Sequence, residues 1–369
     1  MVRVGITGAS GFVGTHLRFF LYGQRDKYKP ISVQKSDFST SEKLAKKLKR
    51  CDIVVHLAGL NRGEEKEIYE INTKLTKTIL TTLDKINKRP KIIFLSSTHN
   101  TRNTAYGRSK RDSEKMILDW GTKNRVATFS IVAPHIFGEF AQPYYNSAIA
   151  SLAYELSKNK KSVVNPDAKV ELIYIQDICC LITSLFKKKS SKTIIPNGKK
   201  MQLTDIYSLL KNFRDVYFFD IFPKFKNNFE LQLFNTFRSY LYPNHFPVNL
   251  DLKKDERGAF VEVVKTKTRG QISFSTTHPN IVRGNHYHTR KIERFCVIKG
   301  KAEIKIRRLF SKKVYTYKVS GKRPVYIDMP TFHTHSIKNI GKKDLLTIFW
   351  INEIYDPKDP DTFPELVKF

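Results

Sequence analysis

The chain has 369 residues, 40% of them hydrophobic, which is enough to bury a substantial core. This length exceeds the size that a single hydrophobic core usually supports, so two domains are predicted. Its 66 Lys and Arg against 34 Asp and Glu give a formal net charge of +32, but these basic residues are spread along the sequence without a nucleic-acid-binding motif, which argues against a nucleic-acid partner. No run approaches the roughly 20 apolar residues of a membrane helix, and the N-terminus enters a strand-like segment instead of a signal peptide, which argues against membrane insertion.

The first element, residues 2–7, is predicted to be a buried parallel strand that leads directly into a glycine-rich turn and an apolar-periodic helix. Strand, glycine turn and helix in this order form the context in which the pyrophosphate of a dinucleotide binds. Gly8 permits the tight turn, Gly11 lets the pyrophosphate approach the backbone, and Gly14 lets helix and strand pack closely. The helix N-terminus then meets the phosphate charge. The predicted cofactor contacts of this turn are Gly8, Gly11, Phe12, Val13 and Gly14.

The end of the second strand indicates which nicotinamide cofactor is bound. An NAD site usually has Asp or Glu about 20 residues beyond the glycines, where the carboxylate holds the ribose 2′-hydroxyl. Here the strand at residues 31–33 ends in Gln34-Lys35, which offers an ammonium group to the 2′-phosphate of NADP. Asp37 lies close by and keeps NAD open as the alternative. NADPH is therefore the predicted cofactor, with Lys35 as a contact.

Two further segments are predicted to be buried parallel strands with small or hydroxyl residues at their ends, residues 52–59 and 91–98. Tyr106 and Lys110 follow and open a helix, where their spacing puts them one turn apart on one face. An ammonium group beside a phenol lowers the pKa of the phenol and positions it as proton donor or acceptor at a carbonyl or alcohol. The cofactor contacts predicted at these strand ends are Leu57, Ala58, Gly59 and Ser96.

Together these residues resemble the extended short-chain dehydrogenase/reductases that modify nucleotide sugars, and the resemblance covers about residues 1–240. It implies that Tyr106 is the general acid/base and that Lys110 activates this tyrosine and binds the nicotinamide ribose. It also implies that Thr98, with Ser97 as the alternative, holds the substrate oxygen.

The same resemblance implies cofactor and substrate contacts after the next strand. Pro134 is expected near the carboxamide of the cofactor. Two departures from the family pattern concern the substrate. Residues 132–135, Val-Ala-Pro-His, stand where the family has an RxxN element, and the interval from Thr98 to Tyr106 is short. The resemblance therefore defines the substrate contacts less well than the cofactor contacts. Substrate contacts are predicted at Asn61, His135 and Asn146, the last of which is equally suited to a turn.

Beyond residue 247 the sequence changes to short alternating runs separated by turns, which predicts an all-β domain. Within it a His-x-His pair, whose side chains point to one face of a strand, precedes a Glu and a later His. Three imidazoles and one carboxylate suit zinc, with nickel, iron or manganese as alternatives, while core histidines without metal are the other interpretation. The series resembles both cupin motifs, and His333 is the alternative fourth ligand. The predicted metal ligands are His286, His288, Glu293 and His335.

Residues 255–262 and 283–286 resemble the cupins that act as dTDP-4-keto-6-deoxyglucose 3,5-epimerases. The resemblance implies that arginines, here Arg257 and Arg283, hold the nucleotide diphosphate and that a histidine abstracts the proton next to the keto group. That position is His286, so the roles of base and metal ligand compete for one side chain. Alternatively, a metal polarises the carbonyl while another base removes the proton.

In length and order the whole chain resembles the bifunctional enzymes of capsular polysaccharide synthesis. The predicted fold is an α/β Rossmann fold of the extended short-chain dehydrogenase/reductase type at residues 1–245, followed by an all-β cupin barrel at residues 246–369. The resemblance implies NADPH-dependent reduction of a UDP-2-acetamido-2,6-dideoxy-4-keto-hexose after epimerisation by the cupin, on the route to UDP-N-acetyl-L-fucosamine. It also implies a homodimer formed through the cupin domains.

Two alternatives of function stay open at this point. The barrel could be a structural dimerisation module with a stabilising metal, or the chain could be a redox-neutral 4-epimerase that retains NAD. The four cysteines lack the paired spacing of a disulfide framework or a zinc knuckle, so ordinary buried thiols are predicted. A cytoplasmic location is predicted because the sequence shows neither a membrane helix nor a signal peptide.

Overall fold

The computed structural model describes the backbone of residues 1–250, 253–255, 258–260, 265–266, 271–353 and 356–368, and the side chains of those residues outside 251–271. The chain divides into two compact units. The first comprises Met1–Gln142 and Asn165–Leu203, and the second comprises Pro143–Val164 and Thr204–Phe369. Each unit therefore draws on two separate segments of the chain. The boundary predicted between residues 245 and 246 stays a prediction.

Helices and strands alternate along the first half of the chain, which is the order that a parallel sheet requires. The helices of the chain are α1 (Phe12–Tyr22), α2 (Ser41–Leu48), α3 (Glu65–Lys85), α4 (Ala105–Asn124), α5 (Ala148–Ser157), α6 (Ile175–Ser184), α7 (Leu203–Tyr217) and α8 (Asn228–Arg238). Short 3-10 helices cover Lys35–Ser39, Thr98–Thr101 and Leu185–Lys187. The strands up to residue 202 are β1 (Val2–Thr7), β2 (Tyr28–Val33), β3 (Ile53–His56), β4 (Lys91–Ser97), β5 (Thr128–Ala133), β6 (His135–Phe137), β7 (Lys169–Tyr174), β8 (Lys192–Ile194) and β9 (Lys199–Gln202).

A six-stranded parallel sheet in the order β2-β1-β3-β4-β5-β8 forms the centre of the first unit. The inner strands are apolar because helices cover the sheet; every residue of β3 and β5 is buried. In the register of the sheet, Thr7 lies beside both Val33 and His56. The carboxyl ends of parallel strands therefore meet at one edge, where α/β proteins bind their ligands. This confirms the predicted Rossmann-type domain.

The second unit contains two five-stranded antiparallel sheets, in the orders β11-β20-β17-β22-β15 and β19-β18-β21-β16-β23. The strands from residue 221 onward are β10 (Ile221–Phe222), β11 (Val248–Asn249), β12 (Lys253–Asp255), β13 (Gly258–Phe260), β14 (Lys265–Thr266), β15 (Gln271–Thr277), β16 (Val282–Tyr287), β17 (Glu293–Lys299), β18 (Lys301–Arg308), β19 (Val314–Ser320), β20 (Val325–Met329), β21 (His333–Asn339), β22 (Leu345–Ile351) and β23 (Phe363–Pro364). The predicted all-β character of the chain beyond residue 247 is confirmed in the described residues.

One apolar cluster joins the inner faces of the two antiparallel sheets. Alternate residues of each strand point inward, as the pleat requires. The cluster comprises Val297, Ala302, Ile304, Ile306, Val319, Ile327, Met329, Ile337 and Leu345. The helical segment before the sheets packs through its aromatic residues, and Phe222 stacks on Trp350 with ring centroids 4.2 Å apart. Of the helices in the described part of the chain, none has both the length and the apolar character needed to cross a bilayer.

Candidate active site and candidate metal centre

The glycine turn after β1 has a geometry that side chains would disrupt. Gly8 has a φ of +65°, and a Cβ on this residue would lie 2.9 Å from the amide nitrogen of Ala58. A Cβ on Gly14 would lie 2.2 Å from the carbonyl oxygen of Gly8. Gly11 precedes α1 directly, and Phe12 is the first residue of that helix. The turn thus leaves the helix N-terminus open to a phosphate group.

The loop after β3 is fixed by a buried hydroxyl. Thr7 Oγ1 accepts hydrogen bonds from the amides of Leu57 and Ala58, each at 3.1 Å, and lies 2.8 Å from His56 Nδ1. Because both acceptor positions of this hydroxyl are occupied, it donates to Nδ1, and His56 Nε2 donates to Thr76 Oγ1 at 3.0 Å. Burial, with the charge of Lys110, lowers the pKa of His56 to about 3. A neutral imidazole therefore holds the predicted cofactor loop in place.

Asn72 joins the same loop to the helix that carries the tyrosine. Its Oδ1 accepts from the Leu60 amide at 2.6 Å, and its Nδ2 donates to the Leu60 carbonyl at 2.9 Å and to Ser109 Oγ at 3.0 Å. A Cβ on Gly59 would lie 3.1 Å from Asn72 Oδ1, so a side chain at that position would strain the contact. Sequence analysis missed both Asn72 and the Thr7–His56 pair. A polar residue on the buried face of an otherwise apolar element is the signal that points to them.

The predicted pair Tyr106 and Lys110 lies in the first turns of α4. The helix begins after Thr104, whose Oγ1 accepts from the Gly107 amide at 3.1 Å. Lys110 is buried, donates to the Leu95 carbonyl at 2.9 Å, and has its Nζ 5.7 Å from the centre of the Tyr106 ring.

The electrostatics of this pair differ from the sequence expectation. Burial lowers the pKa of Lys110 to about 8. Burial also raises the pKa of Tyr106 to about 12, against a hydrogen bond with Ser97 that lowers it. The expected lowering by Lys110 does not prevail, because removal of the phenolate from water costs more. At neutral pH the phenol stays protonated, which suits a proton donor.

The hydroxyl placed against Tyr106 is that of Ser97, the alternative named for Thr98. Ser97 is the last residue of β4, and its Oγ also accepts from the His99 amide at 3.2 Å. Thr98 is exposed and begins a 3-10 helix. The roles predicted for Thr98 and for Ser97 stay predictions, and of the two it is Ser97 that affects the pKa of the phenol.

The remaining residues predicted in the first unit lie at the carboxyl edge of the sheet. Pro134 is buried between β5 and β6, and Ser96 Oγ is buried without a hydrogen-bond partner in the described part of the chain. His135 is partly buried, and burial together with His99 lowers its pKa. His135 Nε2 has no hydrogen-bond partner among the described residues. The positions with exposed side chains or backbone are Lys35, Gly59 and Asn61.

The four predicted metal ligands come together in the second unit. One ligand atom from each of these side chains lies within 4.8 Å of those of the others. The Nε2 atoms of His288 and His335 lie 3.0 and 3.3 Å from Glu293 Oε2. These three atoms are buried and make no well-aligned hydrogen bond within the described residues. Such a set of orphaned nitrogen and oxygen atoms fits a divalent metal. The ligands of the cluster are His286, His288, Glu293 and His335.

A β-bulge brings two of the ligands together. His286 on β16 lies opposite His335 on β21, and the register shifts between Gly284 and His286. Gly284 has a φ of +96°, and a Cβ there would lie 2.7 Å from the carbonyl oxygen of His335. Only glycine fits where the two backbones lie this close together. The extra residue of the bulge, Asn285, changes the direction of the side chains that follow it.

The charges in the cluster are coupled. Burial, with His335 and His288, lowers the pKa of His286 to about 3. Burial opposes ionisation of Glu293, but His288 and His335 hold the pKa of its carboxyl well below the ordinary value. An ionised carboxylate beside imidazoles is the protonation state that a metal centre requires.

The other described residues that were predicted in the second unit lie outside the cluster. His333 is outside it and has its Nδ1 2.9 Å from the Thr331 carbonyl oxygen. Arg283 is exposed on β16, and Asn146 is exposed with a φ of +52° in the loop before α5. Arg257 lies outside the described residues.

Two family profiles match the chain. Residues 4–195 match the NAD dependent epimerase/dehydratase family, and residues 253–363 match the polysaccharide biosynthesis C-terminal domain. The first match covers more than half of the chain and contains the glycine turn, the Tyr106–Lys110 pair and the strands between them.

Relatives match over nearly the whole length. The UDP-2-acetamido-2,6-beta-L-arabino-hexul-4-ose reductase of Pseudomonas aeruginosa is 29% identical over 367 residues, which are 98% of each chain. The crystal structure of the capsular polysaccharide assembling protein CapF from Staphylococcus aureus is 32% identical, covers 99% of this chain and 100% of its own, and has a TM-score of 0.63. RMD from Pseudomonas aeruginosa, complexed with NADPH, is 19% identical over 58% of this chain and 84% of its own, with a TM-score of 0.54, and supports the fold alone.

Proposed function

The chain belongs to the NAD dependent epimerase/dehydratase family and is related over its whole length to CapF, and we propose that it is a bifunctional nucleotide-sugar enzyme. Its proposed reaction is NADPH-dependent reduction at C4 of a UDP-2-acetamido-2,6-dideoxy-4-keto-hexose. The C-terminal domain first inverts a carbon next to the ketone, on the route to UDP-N-acetyl-L-fucosamine for a capsule or other surface polysaccharide. The names of the two full-length relatives, a 4-keto-sugar reductase and a capsular polysaccharide assembling protein, support this substrate and this route.

The glycine turn and the loop after β3 are the proposed cofactor site. The turn offers backbone amides and the N-terminus of α1 to a pyrophosphate, and Thr7 and Asn72 fix the neighbouring loop. Lys35 is exposed just after β2 and is the proposed partner of the 2′-phosphate. Asp37 accepts the Gln34 amide at 2.8 Å and lies 3.9 Å from Lys47, which supports NADPH over NADH because this carboxylate is already engaged. Bound NADPH supplies the hydride that the protein itself lacks.

The proton comes from the chain itself. The observation that carries the proposal is the position of Tyr106 in the first turn of α4, one helical turn from the buried ammonium of Lys110. In the proposed step, Tyr106 gives its phenolic proton to the C4 oxygen as hydride reaches the carbon. Ser97 orients the phenol and the substrate oxygen. Lys110 stabilises the phenolate until solvent returns the proton.

The C-terminal domain is proposed to be a cupin barrel that holds zinc. The two antiparallel sheets and the cluster of imidazoles and one carboxylate support this assignment. A divalent metal there supplies Lewis acidity toward a carbonyl oxygen. Arg257 and the exposed Arg283 are proposed contacts of the nucleotide diphosphate. The other proposed contacts of the sugar nucleotide are Asn61, His135 and Asn146.

The experiment that tests the proposal follows cofactor consumption and product structure together. Purified protein is incubated with the UDP-linked 4-keto-6-deoxy-N-acetylhexosamine and with NADPH or NADH. We expect stoichiometric oxidation of NADPH, faster than of NADH, and an alcohol at C4 by NMR. A folded protein that consumes no reduced cofactor yet copurifies with NAD and interconverts C4 epimers would replace the proposal by a redox-neutral 4-epimerase.

A homodimer through the barrel is also proposed. In the described residues β15 is an edge strand, paired only with β22. On this strand Ile272 is 64% exposed and Phe274 is 71% exposed. An unpaired edge with large apolar side chains is a surface on which a second copy of the strand fits.

Replacing Phe274 by glutamate is therefore expected to weaken the dimer about 100-fold, because each partner would bury a carboxylate in an apolar contact. Light scattering across a concentration series measures the dissociation constant. Phe219→Glu is the matched control, since Phe219 is 74% exposed in the same unit but lies outside the sheets. A dimer equally strong in both variants, or lost in both, would contradict an interface at β15.

A cytoplasmic location is proposed as well. All four cysteines are free thiols; three are buried as predicted, whereas Cys180 is exposed. Exposed thiols persist in a reducing compartment. NADPH and nucleotide sugars, the proposed cofactor and substrate, are consistent with the same compartment.

A further inference from the structure

One of the proposed metal ligands is held by a residue far away in sequence. His288 Nδ1 lies 2.6 Å from the backbone carbonyl oxygen of Asp361. A carbonyl oxygen only accepts, so Nδ1 carries the proton, and the neutral ring then presents an unprotonated Nε2. That Nε2 is the atom 3.0 Å from Glu293 Oε2, inside the cluster. The Asp361 carbonyl therefore selects the tautomer of His288 that binds a metal.

The side chain of Asp361 holds its own carbonyl in position. Its carboxylate accepts the backbone amides of Thr289 at 3.1 Å, Arg290 at 2.9 Å and Lys291 at 2.9 Å, as well as the Thr289 hydroxyl. Asp361 is 3% exposed, and its φ is +37°. Three successive amides directed at one buried carboxylate form an anion-binding turn directly after His288. The carboxylate thus ties the turn that follows the ligand to the carbonyl that orients it.

The rest of the C-terminal segment reinforces this attachment. Phe363 and Pro364 form β23, which pairs with Tyr287 and His286 on β16. The rings of Tyr287 and Phe363 stack with centroids 5.2 Å apart. The strand that carries the His-x-His pair is therefore bound on one side by residues near the end of the chain.

The other two imidazoles are not held in this way. The backbone group that raises the pKa of the His286 ring is that of Gly284, two residues away. His335 Nδ1 is buried without a hydrogen-bond partner in the described part of the chain. Of these three ligands, His288 is the one whose orientation depends on a distant segment.

We propose that Asp361 is a positioning residue of the metal centre: its carbonyl sets the tautomer of His288, and its buried carboxylate fixes that carbonyl. The inference rests on the proposed metal centre. It makes metal affinity a property of the C-terminal segment as well as of the four ligands.

The test compares zinc affinity in two matched variants of the full chain. Asp361→Asn keeps the size of the side chain but replaces one acceptor oxygen by a donor that faces backbone amides. Asp359→Asn is the control, because Asp359 lies two residues away and pairs with Arg290 at an exposed position, its side chain 69% exposed. We expect zinc, titrated against a chelating competitor, to bind about 10–100-fold more weakly to Asp361→Asn and within about twofold of wild type to the control. Circular dichroism and NADPH affinity check that both variants fold.

Direct measurement of the tautomer keeps the proposal testable if Asp361→Asn does not fold. In nitrogen-15 NMR of zinc-loaded wild-type protein, the proton of His288 is expected on Nδ1, and a proton on Nε2 would overturn the proposal. A folded Asp361→Asn with wild-type zinc affinity would overturn it as well. Zinc binding that is unaffected by His335→Gln would instead overturn the metal centre itself, so the two failures are distinguishable.

Discussion

Replacement of Tyr106 by phenylalanine is expected to lower the turnover number for ketone reduction by about 10²–10⁴-fold, the range that a positioned general acid contributes. The ring remains and the helix is unchanged, so the loss comes from the hydroxyl alone. Burial raises the pKa of that hydroxyl to about 12, which keeps the proton available at neutral pH. Stopped-flow and steady-state measurements of NADPH oxidation with the UDP-linked 4-keto sugar give the effect.

The control for this variant is Tyr69→Phe. Tyr69 lies on α3 of the same unit, and its hydroxyl donates to Asp112 at 2.7 Å, away from the Ser97–Tyr106 pair. Wild-type turnover is expected in the control, and NADPH affinity is expected to be unchanged in both variants because neither removes a phosphate contact. Turnover above a tenth of wild type in Tyr106→Phe would show that another group supplies the proton, and the partly buried His135 would then be the next to replace.

The strands and the metal cluster follow from local patterns, which explains why they could be predicted. A glycine turn between a strand and a helix, or histidines two residues apart on a strand, needs only neighbouring residues to be recognised. The short alternating runs that predict an all-β domain beyond residue 247 are strands in the structure, as at β15 and β20. The fourth ligand is distant in sequence from the other three. His335 joins the cluster because β21 pairs with β16, and the cupin spacing indicated His335 over His333.

The contacts that could not be predicted are those between distant parts of the chain. The choice between Ser97 and Thr98 depends on the residue at which β4 gives way to a 3-10 helix, and boundaries are the least predictable feature of an element. Asp361 stands 73 residues after His288, and nothing local indicates that its carbonyl meets that ring. The raised pKa of Tyr106 depends on burial, which outweighs the opposing effect of Ser97.

The C-terminal domain's role depends on whether its metal takes part in chemistry, and replacement of His335 by glutamine addresses this. Glutamine has similar volume but cannot supply the imidazole nitrogen that lies 3.3 Å from Glu293 Oε2. Zinc affinity is expected to fall more than about 100-fold, since loss of a ligand exceeds the 10–100-fold cost typical of an outer-shell partner. The melting temperature is expected to fall too, because metal bound to the folded state stabilises it. Zinc content and competition titration measure the first effect, and calorimetry the second.

The matched control is His333→Gln, two residues away on the same strand and equally buried, but outside the cluster. It should retain zinc; loss of zinc in this variant alone would identify His333 as the ligand. The decisive comparison is then exchange of the proton next to the ketone with solvent deuterium. If His335→Gln loses exchange but still reduces substrate that is already epimerised, the metal centre acts in epimerisation. If exchange persists at the wild-type rate in the zinc-free variant, the metal serves stability alone, and the base must be sought among residues that do not bind it.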